Sequence, residues 1–187
     1  DKDSVEVFSY VSSDSGVTWT KRTGTLETPK DTYTRGGAGM STLVFSGDPI
    51  VEADGTMYNS LYARYLGDSK WRVLWAKSTD NGLNWAIVST IASASDLPDD
   101  LENADGFAEP AVARVADGSL LAVMRTKTMS PMLQSRSYDN GLTWTKPKRL
   151  PDANGGYISD ADASSVYPDL EMLSNGLLAL SYGRPDN

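Results

Sequence analysis

With 187 residues, 40 % of them apolar and 22 % charged, the chain is sized and composed for one globular domain with a real core. It has no cysteine and no histidine, which excludes disulfides, thiolate chemistry, a Ser-His-Asp triad and a histidine-ligated zinc within the chain. A net charge of −8 argues against a nucleic-acid partner, whose phosphates need a basic surface, and no run approaches the roughly 20 apolar residues of a membrane span.

The chain opens on "DKDSVEVFSY", which reads as interior sequence and lacks the basic start and apolar stretch of a signal peptide. Next comes "SSDSGVTW", Ser12 to Trp19. This eight-residue box returns as "STDNGLNW" (Ser78 to Trp85) and "SYDNGLTW" (Ser137 to Trp144). The box aspartates Asp14, Asp80 and Asp139 are 66 and 59 residues apart, a spacing that marks a repeat architecture. Each box has a structural explanation. Gly16, Gly82 and Gly141 take a positive φ at low cost. The aspartate accepts backbone N–H bonds inside the turn, and Trp19, Trp85 and Trp144 cover the turn and pack between sheets.

A second element repeats ahead of the later boxes. It reads "DPIVEADGTMYNSLYAR" (Asp48 to Arg64), "EPAVARVADGSLLAVMR" (Glu109 to Arg125) and "YPDLEMLSNGLLALSYGR" (Tyr167 to Arg184). Each copy has a residue before proline, an alternating apolar stretch, a glycine turn, a second apolar stretch and a terminal arginine. "AVARV" and "SLLAV" flank Asp117-Gly118, a strong hairpin signal. A third strand ("WRVLWAKS", "MLQSRS") leads into the box, and a fourth starts at its tryptophan. The proline is expected to fix an extended entry to the first strand.

Four antiparallel strands per repeat, at a period near 60, predict an all-β propeller. Its blade repeats fall at about 1–30, 44–95, 106–150 and 164–187, so three blades and the start of a fourth. Between the second and third repeats, "SASDLPDDLENADG" holds one helical turn at most. Its acids Asp96, Asp99, Asp100, Glu102 and Asp105 match no EF-hand spacing and read as a solvated loop. "RGGAGMS", with Arg35, lacks the lysine of a phosphate loop and reads as a flexible loop. No metal or cofactor is expected.

The Ser-x-Asp-x-Gly-x-Thr-Trp box resembles the Asp-box, or bacterial neuraminidase repeat, with Asn84 as the one departure at the usual threonine. On this resemblance the chain looks like about half of a six-bladed sialidase-type propeller. "EPAVARVADGSLLAVMR" is similar to the sialidase segment in which a glutamate opens an inner strand and an arginine ends the next. The resemblance implies that Glu109 supports a tyrosine nucleophile and that Arg125 is one of three arginines clamping a sugar carboxylate. Arg184 is a further candidate for that clamp. "VYPDLEML" resembles the stretch around the nucleophilic tyrosine, whereas blade counting puts the family's nucleophile later; the nucleophile is Tyr167 or a tyrosine beyond Asn187. The family's Arg-Ile-Pro signature does not occur. Asp1 and Asp3, 13 and 11 residues before Asp14, lie near where the family carries its acid/base aspartate.

Aligning the repeats places Asp48, Glu109 and Tyr167 at equivalent positions of successive blades, and likewise Arg64, Arg125 and Arg184. Their side chains are expected to converge on one mouth, with the arginines holding a carboxylate and an acid activating a phenol. The same acids and arginines also suit framework ion pairs. A tyrosine nucleophile suits an anionic sugar because a carboxylate would be repelled by it. The reading is a sialidase-like glycoside hydrolase acting on a terminal, acidic sugar of a glycan, and the resemblance implies a secreted protein. Half a ring holds half a mouth, so the chain alone is not expected to turn over substrate. Two other readings stay open: a non-catalytic propeller binding glycan or protein, and another glycosidase or lyase on this scaffold. Open sheet edges also suggest self-association.

Overall fold

A computed structural model describes residues 3–32, 43–127, 130–158 and 166–183. Among them the regular elements are strands, apart from two short 3-10 turns at Ala94–Asp96 and Asp99–Leu101 in the acidic loop. No helix among the described residues is long and apolar enough to cross a membrane.

The second repeat forms a four-stranded antiparallel sheet of β3 (Leu43–Val51), β4 (Met57–Ala63), β5 (Arg72–Ser78) and β6 (Trp85–Ala92). The third forms another from β7 (Ala108–Arg114), β8 (Leu120–Arg125), β9 (Leu133–Ser137) and the two-residue β10 (Lys148–Arg149). The fourth supplies an antiparallel pair, β11 (Val166–Met172) and β12 (Leu178–Gly183). The first is a hairpin, β1 (Asp3–Val11) with β2 (Thr20–Thr28), joined by its box. β2 also makes a short parallel pairing with β6, Leu26 opposite Trp85 and Glu27 opposite Ala86, so the hairpin extends the second sheet.

The inner strands β3, β7 and β11 pack side by side. Three apolar clusters fill the spaces between sheets. Trp75, Phe107, Leu120, Met124 and Leu133 lie between the second and third sheets. Leu26, Leu61, Leu74 and Trp85 lie beneath the hairpin, and Ala111, Val123, Leu150 and Leu170 lie between the third sheet and β11. Strands covered on both faces need continuous apolar runs, which is why "AVAR" and "LLAVM" lose the polar alternation of a one-sided sheet.

All three boxes adopt one geometry. In the first, Asp14 Oδ1 accepts the Thr18 amide at 2.9 Å and Oδ2 the Thr18 hydroxyl at 2.6 Å, while Trp19 Nε1 donates to the Gly16 carbonyl at 3.1 Å. Asp80 and Asp139 repeat this with Asn84 and Thr143. Asn84, the departure from the box pattern, replaces the threonine hydroxyl with its own Nδ2 donor, 2.8 Å from Asp80 Oδ2.

The later boxes also tie one sheet to the preceding one. Box three presses Gly141 onto Trp75, where an added Cβ would lie 2.2 Å from Trp75 Nε1. Ser89 donates its hydroxyl to the Gly141 carbonyl at 2.5 Å and accepts from Trp144 Nε1 at 3.1 Å. Box two docks on the hairpin in the same way. Arg22 donates to the Asn81 carbonyl, Asn84 Oδ1 accepts the Thr25 amide, and Gly24 lies directly against the Leu83 carbonyl. The hairpin therefore occupies the place of an outer strand pair in a preceding blade.

Candidate active site

The box fixes the level of each strand. Ser78 pairs with Met57 and Ser137 with Leu120, so the boxes stand at the hairpin-turn end of their sheets. Glu109 and Arg125 stand at the other end, where Ala108 pairs with Arg125. Five residues of strand, about 17 Å, separate Leu120 from Arg125. This distance keeps the boxes away from the candidate chemistry.

β7 and β11 each begin with a bulge. The ladder shifts between Ala108 and Ala111, and again between Val166 and Asp169. Glu109 has φ +46° and Tyr167 has φ +49°. Left-handed conformations cost residues with a Cβ of order 1–3 kcal/mol and are concentrated at functional sites. This corrects the expectation of an extended residue before proline. Pro110 and Pro168 have no N–H to lose from the ladder, so the bulge forms there without breaking a hydrogen bond.

The bulge sends Glu109 between the two sheets. Its Oε1 accepts from Arg125 Nη1 at 3.0 Å, and its Oε2 accepts the backbone amide of Tyr167 at 3.0 Å. Both side chains of the ion pair are largely buried. The contact to Tyr167 is through the backbone. Tyr167 is 70 % exposed, and its phenol acts electrostatically on Tyr62. The expected activation of this phenol by Glu109 is therefore not the contact that forms.

The tyrosine beside Glu109 is Tyr62, which the sequence reading did not single out. Tyr62 lies five residues beyond Met57 on β4, as Arg125 lies five beyond Leu120 on β8, so they share a level in adjacent sheets. Burial pushes the Tyr62 phenol above its ordinary value; the Glu109 carboxylate and Tyr167 add to the rise, and Arg125 opposes it. Its ring meets Trp71 edge-on at 5.3 Å. Counting back from the box would have found it, whereas counting from the proline to the arginine led to Arg64.

Arg64 follows the end of β4 and donates through Nε and Nη2 to the Asp68 carbonyl, at 3.2 and 2.7 Å. Asp68 holds Arg72 through two 2.7 Å bonds. Burial pushes the neighbouring Tyr65 phenol up to about 12. This loop sets the entry to β7: Phe107 donates to the Trp71 carbonyl at 3.0 Å, and a Cβ on Gly106 would lie 2.3 Å from that oxygen.

Asp48 does not join Glu109. The β3 bulge, between the Ser46–Ser60 and Ile50–Tyr58 rungs, places three residues against one. The run from Pro49 to its turn is two residues shorter than the run from Pro110. Asp48 therefore lines a groove with Val112 to Arg114 and Leu170 to Met172, toward the hairpin turns. Arg184 and Asp1 lie outside the described residues, as does Arg35. At the level of Arg125, the fourth repeat carries Gly183, paired with Val166. Asp3 opens β1 opposite Thr28. In the acidic loop, Asp96 accepts the Ser93 amide within its own turn, and Asp100 pairs with Arg149 of β10.

Solved structures share this architecture. A protein of unknown function from Dyadobacter fermentans matches with TM-score 0.65 and 19 % identity over 93 % of this chain and 43 % of its own. A Hadza microbial sialidase matches at 0.57 and 18 %, over 92 % of this chain and 30 % of its own. The Penicillium chrysogenum alpha-L-arabinanase, complexed with arabinobiose, matches at 0.58 and 16 %, over 97 % and 50 %. The chain thus spans half or less of each of these structures. Among curated proteins, none matches. At these identities the likeness establishes the fold, a partial β-propeller of the kind found in glycosidases. The family model of the BNR repeat-like domain matches residues 2–176, and the chain belongs to that family.

Proposed function

We propose that the whole protein is a glycoside hydrolase that removes a terminal acidic sugar, such as sialic acid, from glycans. The observation that carries this is the Glu109 bridge. One carboxylate joins the Arg125 guanidinium and the Tyr167 amide across two sheets, at two strained bulges. Such strain is maintained where the surrounding structure fixes a functional geometry. Arg125, oriented by Glu109, presents a planar fork that matches a carboxylate. Glu109 is then a positioning residue. Tyr62, kept protonated, is a hydrogen-bond donor to the sugar, and the exposed Tyr167 phenol is the candidate nucleophile. The arabinanase and sialidase neighbours support a carbohydrate ligand of one class or the other.

A second reading, a propeller that binds glycan without cleaving it, is favoured by one feature. Both Glu109 oxygens are already engaged, by Arg125 and by an amide, and neither contact is to a phenol.

Incubation of the whole protein with fluorogenic sialoside, uronide and arabinofuranoside substrates tests the proposal, with sialic acid binding measured in parallel. Release from the sialoside is expected. Release from the arabinofuranoside alone would move the protein to the other glycosidase class. Binding without release would establish the second reading, and neither binding nor release would overturn both.

A further inference from the structure

Four Asn-Gly pairs occur in the chain: Asn81-Gly82 and Asn140-Gly141 in the later boxes, Asn154-Gly155 in the loop after β10, and Asn175-Gly176 in the turn between β11 and β12. The dipeptide carries a latent reaction. The glycine amide nitrogen gives its proton to solvent and attacks the asparagine side-chain carbonyl carbon. A C–N bond forms and ammonia leaves, giving a cyclic succinimide. Water then adds to one of the two ring carbonyls and opens it, leaving isoaspartate or aspartate. The following glycine permits ring closure because it has no Cβ in the way and its backbone turns freely. By sequence the four pairs are equivalent, whereas their surroundings differ.

In both boxes the attacking nitrogen is engaged. The Gly82 amide donates to Ser78 Oγ at 3.1 Å and the Gly141 amide to Ser137 Oγ at 2.8 Å, and both glycines are buried. The asparagines are held too. Asn140 Oδ1 accepts from Arg114 Nη1 at 3.1 Å, and the Asn81 carbonyl accepts from Arg22 Nη2 at 2.7 Å. Gly141 lies against Trp75, which leaves its backbone no room to turn. The pair between β11 and β12 is exposed but still bonded: the Gly176 amide donates to the Leu173 carbonyl at 2.9 Å, and Asn175 Oδ1 accepts the Leu177 amide at 3.1 Å.

Asn154-Gly155 differs on each count. Both residues are exposed. The Gly155 amide reaches the Asp152 carbonyl only at 3.4 Å, beyond the usual range of about 2.7–3.2 Å. Asp152 Oδ1 takes the Asn154 and Gly156 amides at 2.7 and 3.0 Å, so this turn is closed without the asparagine side chain. Among the described residues that side chain makes no hydrogen bond.

We propose that Asn154 is a self-modification site, where the native fold lets the succinimide form, and that Ser78 and Ser137 protect the asparagines of the boxes. A hydrogen bond that must break before the attack slows it by about tenfold. The order of conversion is therefore Asn154, then Asn175, then Asn81 and Asn140. The product adds a negative charge at residue 154, and its isoaspartate form adds a methylene to the main chain. Both changes fall in the turn between Pro151 and Tyr157, beside the Arg149 guanidinium that lies over the Tyr157 ring. This turn lies on the connection from the third sheet to β11, the strand that carries Tyr167.

The test is a time course of the whole protein, folded in mildly alkaline buffer, read by peptide mapping that separates isoaspartate and aspartate from asparagine. Conversion at residue 154 is expected to run at least about tenfold ahead of residues 81 and 140. In denaturant the four rates are expected to fall within a few fold of one another, which assigns the difference to the fold. Ser137→Ala removes the acceptor of the Gly141 amide. In a sample with the circular dichroism of the unsubstituted protein, it is expected to speed conversion at Asn140 and leave Asn154 unchanged. Box conversion as fast as that at Asn154 in the folded unsubstituted protein would overturn the proposal. So would an intact Asn154 over the time in which the denatured chain converts, or the same order of rates in denaturant.

Discussion

Glu109 reaches Tyr167 through its backbone amide at 3.0 Å, and the phenol of that tyrosine stands in solvent. The link is therefore mechanical: it fixes where β11 sits relative to β7. The same carboxylate holds Arg125, so both the arginine fork and the spacing between sheets depend on one side chain.

Replacing Glu109 with alanine is expected to cost about 2–4 kcal/mol in denaturant unfolding, since it removes a largely buried ion pair and the acceptor of the Tyr167 amide together. Glu109→Gln retains an acceptor for the Tyr167 amide and is expected to cost less, while weakening sugar binding through the loosened Arg125. Equal losses for the two variants would argue against the bridge.

Tyr62 gives a spectroscopic test. Its phenol is expected to titrate above an ordinary tyrosine, seen as a high-pH ultraviolet transition that Tyr62→Phe removes. Glu109→Gln should lower that transition, because the carboxylate is one of its causes. Tyr62→Phe is expected to change stability by less than about 1 kcal/mol, since only a hydroxyl is lost, while weakening sugar binding. An unchanged affinity would remove Tyr62 from the mouth.

The boxes predict how stability varies with acid. Hydrogen bonds from the Thr18 hydroxyl and amide, with help from Ser12, hold Asp14 at about 2 in place of 3.8, and Thr143 and Ser137 do the same for Asp139. Asp80 is lowered as well, chiefly by the Asn84 amide. A depressed carboxylate stabilises the fold above its unfolded value and loses that contribution as the pH falls through the folded one. Stability should therefore drop between about pH 4 and pH 2. Asp139→Asn should flatten that slope in acid unfolding curves, and an unchanged slope would contradict the assignment.

Two glycines with the same backbone angle separate turn strain from sheet packing. Gly118 and Gly141 have φ +83° and +85°, but only Gly141 lies against Trp75. Gly118→Ala is expected to cost about 1–2 kcal/mol. Gly141→Ala carries that strain and also forces box three off the second sheet, for a total of about 3 kcal/mol or more. Similar losses would mean that the box does not join the sheets.

Much of this was legible in the sequence. The spacing of Asp14, Asp80 and Asp139 gave the repeat, and Asp117-Gly118 gave a hairpin where one forms. Glu109 and Arg125 were recognisable as a pair because the third repeat has a regular one-residue bulge. What misled was alignment on proline. The β3 bulge absorbs an additional residue, and the run after Pro49 is shorter, so Asp48 and Arg64 slide off the levels of Glu109 and Arg125 while Tyr62 takes the place of the latter. A bulge is a choice between nearly equal backbone pairings, and periodicity does not record it. Nor does the sequence record that Glu109 and Tyr167 are left-handed, since residues before proline ordinarily are extended.

In the proposed function, Arg125, held by Glu109, receives the carboxylate of a sugar. Calorimetric titration of the protein and of Arg125→Ala with free N-acetylneuraminic acid tests it most directly. Binding is expected in the unsubstituted protein and at least about tenfold weakening in the variant, the loss of one bidentate charge-assisted contact, with the circular dichroism of the fold retained. No binding by the unsubstituted protein, or equal binding by both, would contradict it.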